Sequence, residues 1–230
     1  MTVYMGANFG RATAPKLALC WLRTSRPEAK VLRSTKLWSS AIMLPAADDG
    51  TSGYELWKSD GSEAGTVMVK DINPFGDGVD GLIIDGVSHI DGTLYFSATD
   101  GVNGVELWKS DGTETGTVLV KDIFPGGDES FPSNLTIVGD ELYFNADDGV
   151  HGHELWKSDG TEAGTELVKD LFPGNDDGDP EYLVNFNGTL YFSGRNGING
   201  HELWKSDGTA AGTVEPKTFM LAVSAPIPVY

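Results

Sequence analysis

Glu154-Leu155-Trp156-Lys157-Ser158-Asp159-Gly160 is one of four copies of ELWKSDG, the others spanning residues 55–61, 106–112 and 202–208. The tryptophans Trp57, Trp108, Trp156 and Trp204 recur after 51, 48 and 48 residues, a period that belongs to propeller blades and comparable stacked units. The chain is therefore a tandem array of about 48 residues per repeat, and residues written into every copy are expected to serve architecture before chemistry.

Working outward, residues 131–172 read as four extended segments, Asn134 to Val138, Glu141 to Ala146, His153 to Ser158 and Thr165 to Leu171. Gly139-Asp140 joins the first pair, and Asp91-Gly92 and Asn187-Gly188 do so in neighbouring copies. Such two-residue turns tolerate positive φ and close tight hairpins. Alternation along Leu142-Tyr143-Phe144-Asn145-Ala146 sets Leu, Phe and Ala on one face and Tyr on the other. In Glu154 to Asp159 the Trp and the Leu fall on opposite faces. A sheet that is apolar on both sides must lie between two others, so the expected fold is all-β: a partial β-propeller of four-stranded antiparallel blades, about three and a half of them over residues 46–215.

The third and fourth segments are joined by Ser158 to Thr165 and its near copies. The candidate structural turn comprises Ser59, Asp60, Gly61, Ser110, Asp111, Gly112, Ser158, Asp159, Gly160, Ser206, Asp207 and Gly208. Asp, Ser and Thr side chains accept hydrogen bonds from nearby backbone N–H groups, and Gly takes up backbone angles that other residues resist. The four tryptophans are the candidate core.

ELWKSDGTEAGT followed by LVKDI, with LYF in the next hairpin, resembles the bacterial ELWxxDGT tandem-repeat family. That resemblance implies a large exported or cell-surface bacterial protein, with no catalytic residue attached to the repeat. The turn is also similar to the Asp-box of sialidase-like propellers, except that Thr66, Thr117, Thr165 and Thr213 replace its closing aromatic residue.

The ends differ in composition. Residues 1–45 hold seven of the 16 Lys and Arg and one of the 34 acids, leaving 9 basic and 33 acidic residues in 46–230. When each codon's third base is read with the first two of the next, residues 1–25 become compatible with DG(V/I)(H/Y)GxELWKSDGTEAGTxLVKDI. Met1-Thr2 then permits Asp, and Cys20-Trp21 permits Leu. Pro216 to Ala222 in the same offset permits KDI(H/Y)(A/V)G. Both ends, 1–45 and 216–230, are expected to be frameshifted, poorly ordered translations of further repeats, and the chain a fragment able to self-associate through open blade faces.

A net charge of −18 repels nucleic acid and anionic membranes. The single cysteine, Cys20, lies outside the repeats, so no disulfide holds them. No apolar stretch is long enough to span a bilayer.

Asp49, Asp100, Asp147, Asp148 and Glu154 are candidate calcium ligands, although their spacing matches no EF-hand or nonapeptide repeat, and Asn196 replaces the acid in the last copy. His89, His151, His153 and His201 read as variable turn residues. A sialidase-type arginine clamp is ruled out in residues 46–230, whose only arginine is Arg195, and the acids follow the repeat instead of gathering in a distinct pair. The sequence thus points to a non-catalytic scaffold for binding or adhesion to a protein or carbohydrate, with a structural spacer or the remnant of a carbohydrate-active propeller as alternatives. No cofactor is implied.

Overall fold

The computed structural model describes residues 36–37, 42–79, 87–198 and 200–216. Among them there is no helix; the chain is all-β and divides into four small antiparallel sheets. The first contains β1 (Lys36–Leu37), β2 (Ile42–Asp48), β3 (Tyr54–Ser59) and β4 (Val67–Lys70), and the second β5 (Val87–Ile90), β6 (Thr93–Ala98), β7 (Glu106–Ser110) and β8 (Val118–Lys121). The third contains β9 (Ser133–Val138), β10 (Glu141–Asp147), β11 (His153–Ser158) and β12 (Glu166–Lys169). The fourth has three strands, β13 (Glu181–Phe186), β14 (Thr189–Arg195) and β15 (His201–Ser206).

Strands follow one another as neighbours in every sheet, which is what short hairpin connections produce. Asp91 and Gly92 both have positive φ, as do Asn187 and Gly188. Such pairs give the turn whose twist matches the flanking strands. The central pairing repeats in register: Phe96 faces Trp108, Phe144 faces Trp156 and Phe192 faces Trp204.

The fourth sheet falls short of the expected fourth strand. Val214 makes only an isolated bridge to Lys205, and Pro216 stands where Val69, Val120 and Val168 stand in the other copies. Proline has no N–H to give to a ladder, so pairing stops there. At the other end, the expected boundary between residues 45 and 46 falls inside β2, because pairing with β3 already includes Ile42, Met43 and Leu44. Residues 1–35 and 217–230, which carry most of the offset-frame expectation, lie outside the described residues.

Among the described residues the buried apolar side chains form three clusters, each shared by two consecutive sheets. Leu56, Val69 and Ile72 of the first repeat meet Leu94, Phe96 and Trp108 of the second. Tyr95, Leu107 and Val120 meet Leu142, Phe144 and Trp156, and Tyr143, Leu155 and Val168 meet Leu190, Phe192 and Trp204. Alternation within a strand does this: Leu142 and Phe144 pack backward while Tyr143, between them, packs forward. Each core leucine or phenylalanine buried in this way contributes roughly 1.5–3 kcal/mol.

Candidate functional site

The turn between the third and fourth strands of each repeat is built from its own side chains. In the third repeat the Asp159 carboxylate accepts hydrogen bonds from Thr161 N and Oγ1 at 2.8 and 2.7 Å. Gly160 N donates to Ser158 Oγ at 2.9 Å, and Ser158 Oγ lies 2.7 Å from Thr165 Oγ1. Thr165 Oγ1 in turn donates to Thr161 O at 2.7 Å. The same set recurs around Asp60, Asp111 and Asp207. These hydrogen bonds hold the four aspartates below the usual carboxylate range, the hydroxyl donor contributing most. The threonine that replaces the aromatic residue of an Asp-box therefore closes the turn through its hydroxyl.

Two glycines of the turn have different reasons. Gly160 has φ +86°, a region that L side chains rarely adopt. Gly164 has no such angle, but a Cβ there would overlap the Asp159 carboxylate. Gly65, Gly116 and Gly212 meet Asp60, Asp111 and Asp207 in the same way.

Sequence reasoning did not foresee the role of the glutamates. Glu55, Glu106 and Glu154 have no exposed surface. Glu154 Oε2 accepts Leu171 N at 2.8 Å, while Oε1 accepts Phe172 N at 3.2 Å and Gly178 N at 3.0 Å. Glu106 takes Ile123 N and Phe124 N together with Ser130 Oγ at 2.6 Å, and Glu55 takes Ile72 N. Each carboxyl thus anchors the segment that crosses from one sheet to the next. Burial pushes each one up to about 7, against the downward pull of the N–H donors.

The lysines also cross between sheets. Lys58 Nζ donates to Gly112 O and Lys109 Nζ to Gly160 O, both at 2.8 Å. Lys70, Lys121 and Lys169 donate to the carbonyls of Thr117, Thr165 and Thr213 at 2.8 Å. The same three amines lie 5.7, 5.9 and 5.6 Å from the ring centroids of Trp108, Trp156 and Trp204. Trp108, Trp156 and Trp204 are buried, whereas Trp57, in the first sheet, is half-buried.

The candidate calcium ligands are not brought to one centre. Asp49 Oδ1 is taken up by Thr51 and Ser52, and Asp100 Oδ1 by Val102 N and Asn103 N. Asp147 accepts Gly149 N, and Asp148 accepts Val150 N and His151 N. Glu154 faces the crossover segment. Among the described residues no three His, Cys, Asp or Glu side chains are placed to hold a metal ion. Each of these aspartates is engaged by N–H groups of its own turn.

His151 Nδ1 lies 2.8 Å from Asp148 Oδ2, and this contact raises the imidazole above its ordinary range. His201 is exposed, and the side chain of His89 lies outside the described residues. Arg195 pairs with Asp179 at 2.5 Å and with Asp177 at 3.8 Å. The tips of the turns between second and third strands carry Val102, Val150 and Ile198, all exposed. The exposed Phe75 lies in a crossover segment at the same end of the sheets.

No protein-family model matches the chain, nor does any curated protein sequence. Among solved structures, it resembles a puromycin hydrolase mutant at 14% identity and a TM-score of 0.41, over 70% of this chain and 24% of that one. It also resembles an endo-1,4-beta-xylanase from Bacteroides thetaiotaomicron at 15% identity and a TM-score of 0.35, over 80% of this chain and 71% of that one. An alpha-L-arabinofuranosidase from Clostridium thermocellum matches at 16% identity and a TM-score of 0.35, over 80% and 72%. The chain spans about a quarter of the puromycin hydrolase's length, and likenesses of this size bear on neither an activity nor a ligand for it.

Proposed function

We propose that the chain is a non-catalytic repeat scaffold, a segment of a large exported or cell-surface bacterial protein, arranged as part of a β-propeller and used for binding or adhesion. One observation carries this reading: the turn aspartates of all four repeats, and the ELW glutamates of the first three, are engaged with backbone in the same way in copy after copy. Asp159 and its counterparts hold their own turns, and Glu55, Glu106 and Glu154 hold the crossovers. A hydrolase needs one acid and one base in unlike environments, whereas these carboxyls come in like sets.

In this reading the ligand contacts come from the turn tips, from the exposed Val102, Val150 and Ile198 and from His151, which stands where other copies have Ser52 and Asn103. The resemblance to the ELWxxDGT family supports the location outside the cell. The self-contained hydrogen bonding of the tip acids favours the second reading, a structural spacer.

The test is a screen of the immobilised chain against glycans and surface proteins, run beside chromogenic glycosides and peptides. A ligand lost on Val150→Asp without a change in melting supports the scaffold. Silence throughout supports the spacer, and turnover of any substrate refutes both.

A further inference from the structure

We propose that the open face of the fourth sheet docks on the open face of the first sheet of a second copy of this chain, joined head to tail by the contacts that join consecutive sheets within one chain. The inference rests on the sheet-to-sheet geometry alone and does not depend on what the turn tips bind.

Inside the chain, one set of contacts recurs. The leucine of ELW packs forward and has no exposed surface at Leu56, Leu107 and Leu155. The tyrosine of the second strand also packs forward: the Tyr95 hydroxyl sits where a Cβ on Gly160 would be, and Tyr143 does the same to Gly208. Lys58 and Lys109 reach forward to the carbonyls of Gly112 and Gly160. Lys157 departs from this pattern and pairs with Glu141 and Glu166. The lysine of the fourth strand reaches forward to a tryptophan ring.

Among the described residues, the forward-reaching leucine, tyrosine and third-strand lysine are left open on the fourth sheet, and the turn glycine that receives the tyrosine and the lysine is left open on the first. Leu203 is 57% exposed, Lys205 is exposed and Tyr191 is half-buried. On the first sheet, nothing among the described residues lies within 4 Å of where a Cβ on Gly61 would stand, although Gly61 matches Gly160 and Gly208. Trp57 has no lysine over its ring among the described residues, and Met68 packs against none of the apolar clusters, whereas its counterparts Leu119 and Leu167 do. The two faces are unlike and mutually complementary. A fourth-sheet face set against its own copy would oppose lysine to lysine, so the interface is heterologous and gives a closed ring or an open filament. Two copies supply eight sheets, within the range of about four to eight that closed rings use. The net charge of −18 opposes association, so salt strengthens it by screening.

Sedimentation velocity from about 1 to about 100 µM, in reductant so that Cys20 forms no link, reads the result directly. The wild-type chain is expected to pass from 24.6 kDa to twice that mass or more, at lower concentration in high salt. Leu203→Asp removes one face and Met68→Asp the other, so each variant alone stays monomeric. Mixed in equal amounts they pair one to one, because each contributes its intact face. Leu203 is already open to water, so that variant keeps the test decisive even if Met68→Asp no longer melts cooperatively. A wild-type chain that stays monomeric at every concentration overturns the proposal. So does a Leu203→Asp chain that associates as the wild type does, or a mixture of two folded variants that remains monomeric.

Discussion

The boundary between the third and fourth sheets and the far side of the fourth sheet carry leucine and tyrosine at matching positions, with Pro216 in the place of Val168, yet they are different surfaces. At the first, Leu155, Tyr143 and Val168 are closed in by Leu190, Phe192 and Trp204. At the second, Leu203 and Tyr191 hold the equivalent places with water in front of them. Sequence determines which face a side chain takes, and only the neighbouring sheet turns that face into stability. Identical substitutions on the two sides therefore separate burial from everything else.

The largest expected contrast is between Leu155→Ala and Leu203→Ala. The first deletes a fully buried side chain and leaves a cavity, at a cost of about 2–5 kcal/mol; the second changes an exposed position by about 0.5 kcal/mol or less. Urea unfolding followed by tryptophan fluorescence reads both. Equal losses would mean that the fourth sheet's outer face is covered in solution, which docking of a second copy would also produce, so the pair is measured at low concentration.

The next effect belongs to the crossover glutamates, which are buried at the first three repeats and half-buried at Glu202. Glu55, Glu106 and Glu154 have folded-state values near 7 against an ordinary 4.5. Between those values the folded chain holds more protons than the unfolded one. Stability therefore falls as pH rises from 4.5 to 7 and levels off above it. Melting followed across that window is expected to drop by roughly 5 °C, with a shallower slope in Glu154→Gln. The turn aspartates work in the opposite sense: their values are lowered below 3.8, so their contribution is present above that pH and is lost as pH falls through their folded-state values.

Glycine gives a smaller contrast. Gly61 and Gly160 have φ +90° and +86°, so Ala at either costs about 1–2 kcal/mol of backbone strain. At Gly160 the new methyl also meets the Tyr95 hydroxyl, whereas at Gly61 it meets open space. Gly160→Ala is expected to be the worse of the two by roughly 1 kcal/mol in the same urea assay.

The all-β character, the hairpins and the two-sided sheets were legible because they follow from local rules. Alternation put Tyr143 opposite Leu142 and Phe144, and Asp-Gly and Asn-Gly marked the turns. The partners of Glu154 were not legible. They lie 17 to 24 residues away along a crossover whose path no local pattern describes, so a repeated acid beside an acidic turn suggested calcium. Gly164 likewise fits a reading of turn flexibility, although what it provides is room for the Asp159 carboxylate. A signal for the lysines was present: WK stands in every repeat and VK in the first three. Lys58, Lys70, Lys109, Lys121 and Lys169 owe their register to a partner in the neighbouring unit, whereas Lys157 finds its partners in its own sheet.

That last feature gives the finest comparison. Lys121 donates to Thr165 O across the boundary and lies over the Trp156 ring, while Lys205 belongs to the open face and is exposed. Lys121→Met retains most of the apolar stem and removes the charge, the hydrogen bond and the ring contact, at an expected cost of about 1–2 kcal/mol. Lys205→Met is expected to change stability by about 0.5 kcal/mol or less. A double-mutant cycle of Lys121→Met with Trp156→Phe isolates the ring contribution, expected at about 0.5–1 kcal/mol. Additivity in that cycle would assign the lysine's effect to the Thr165 carbonyl alone, making the tryptophan a matter of packing and the lysine a clasp on the turn.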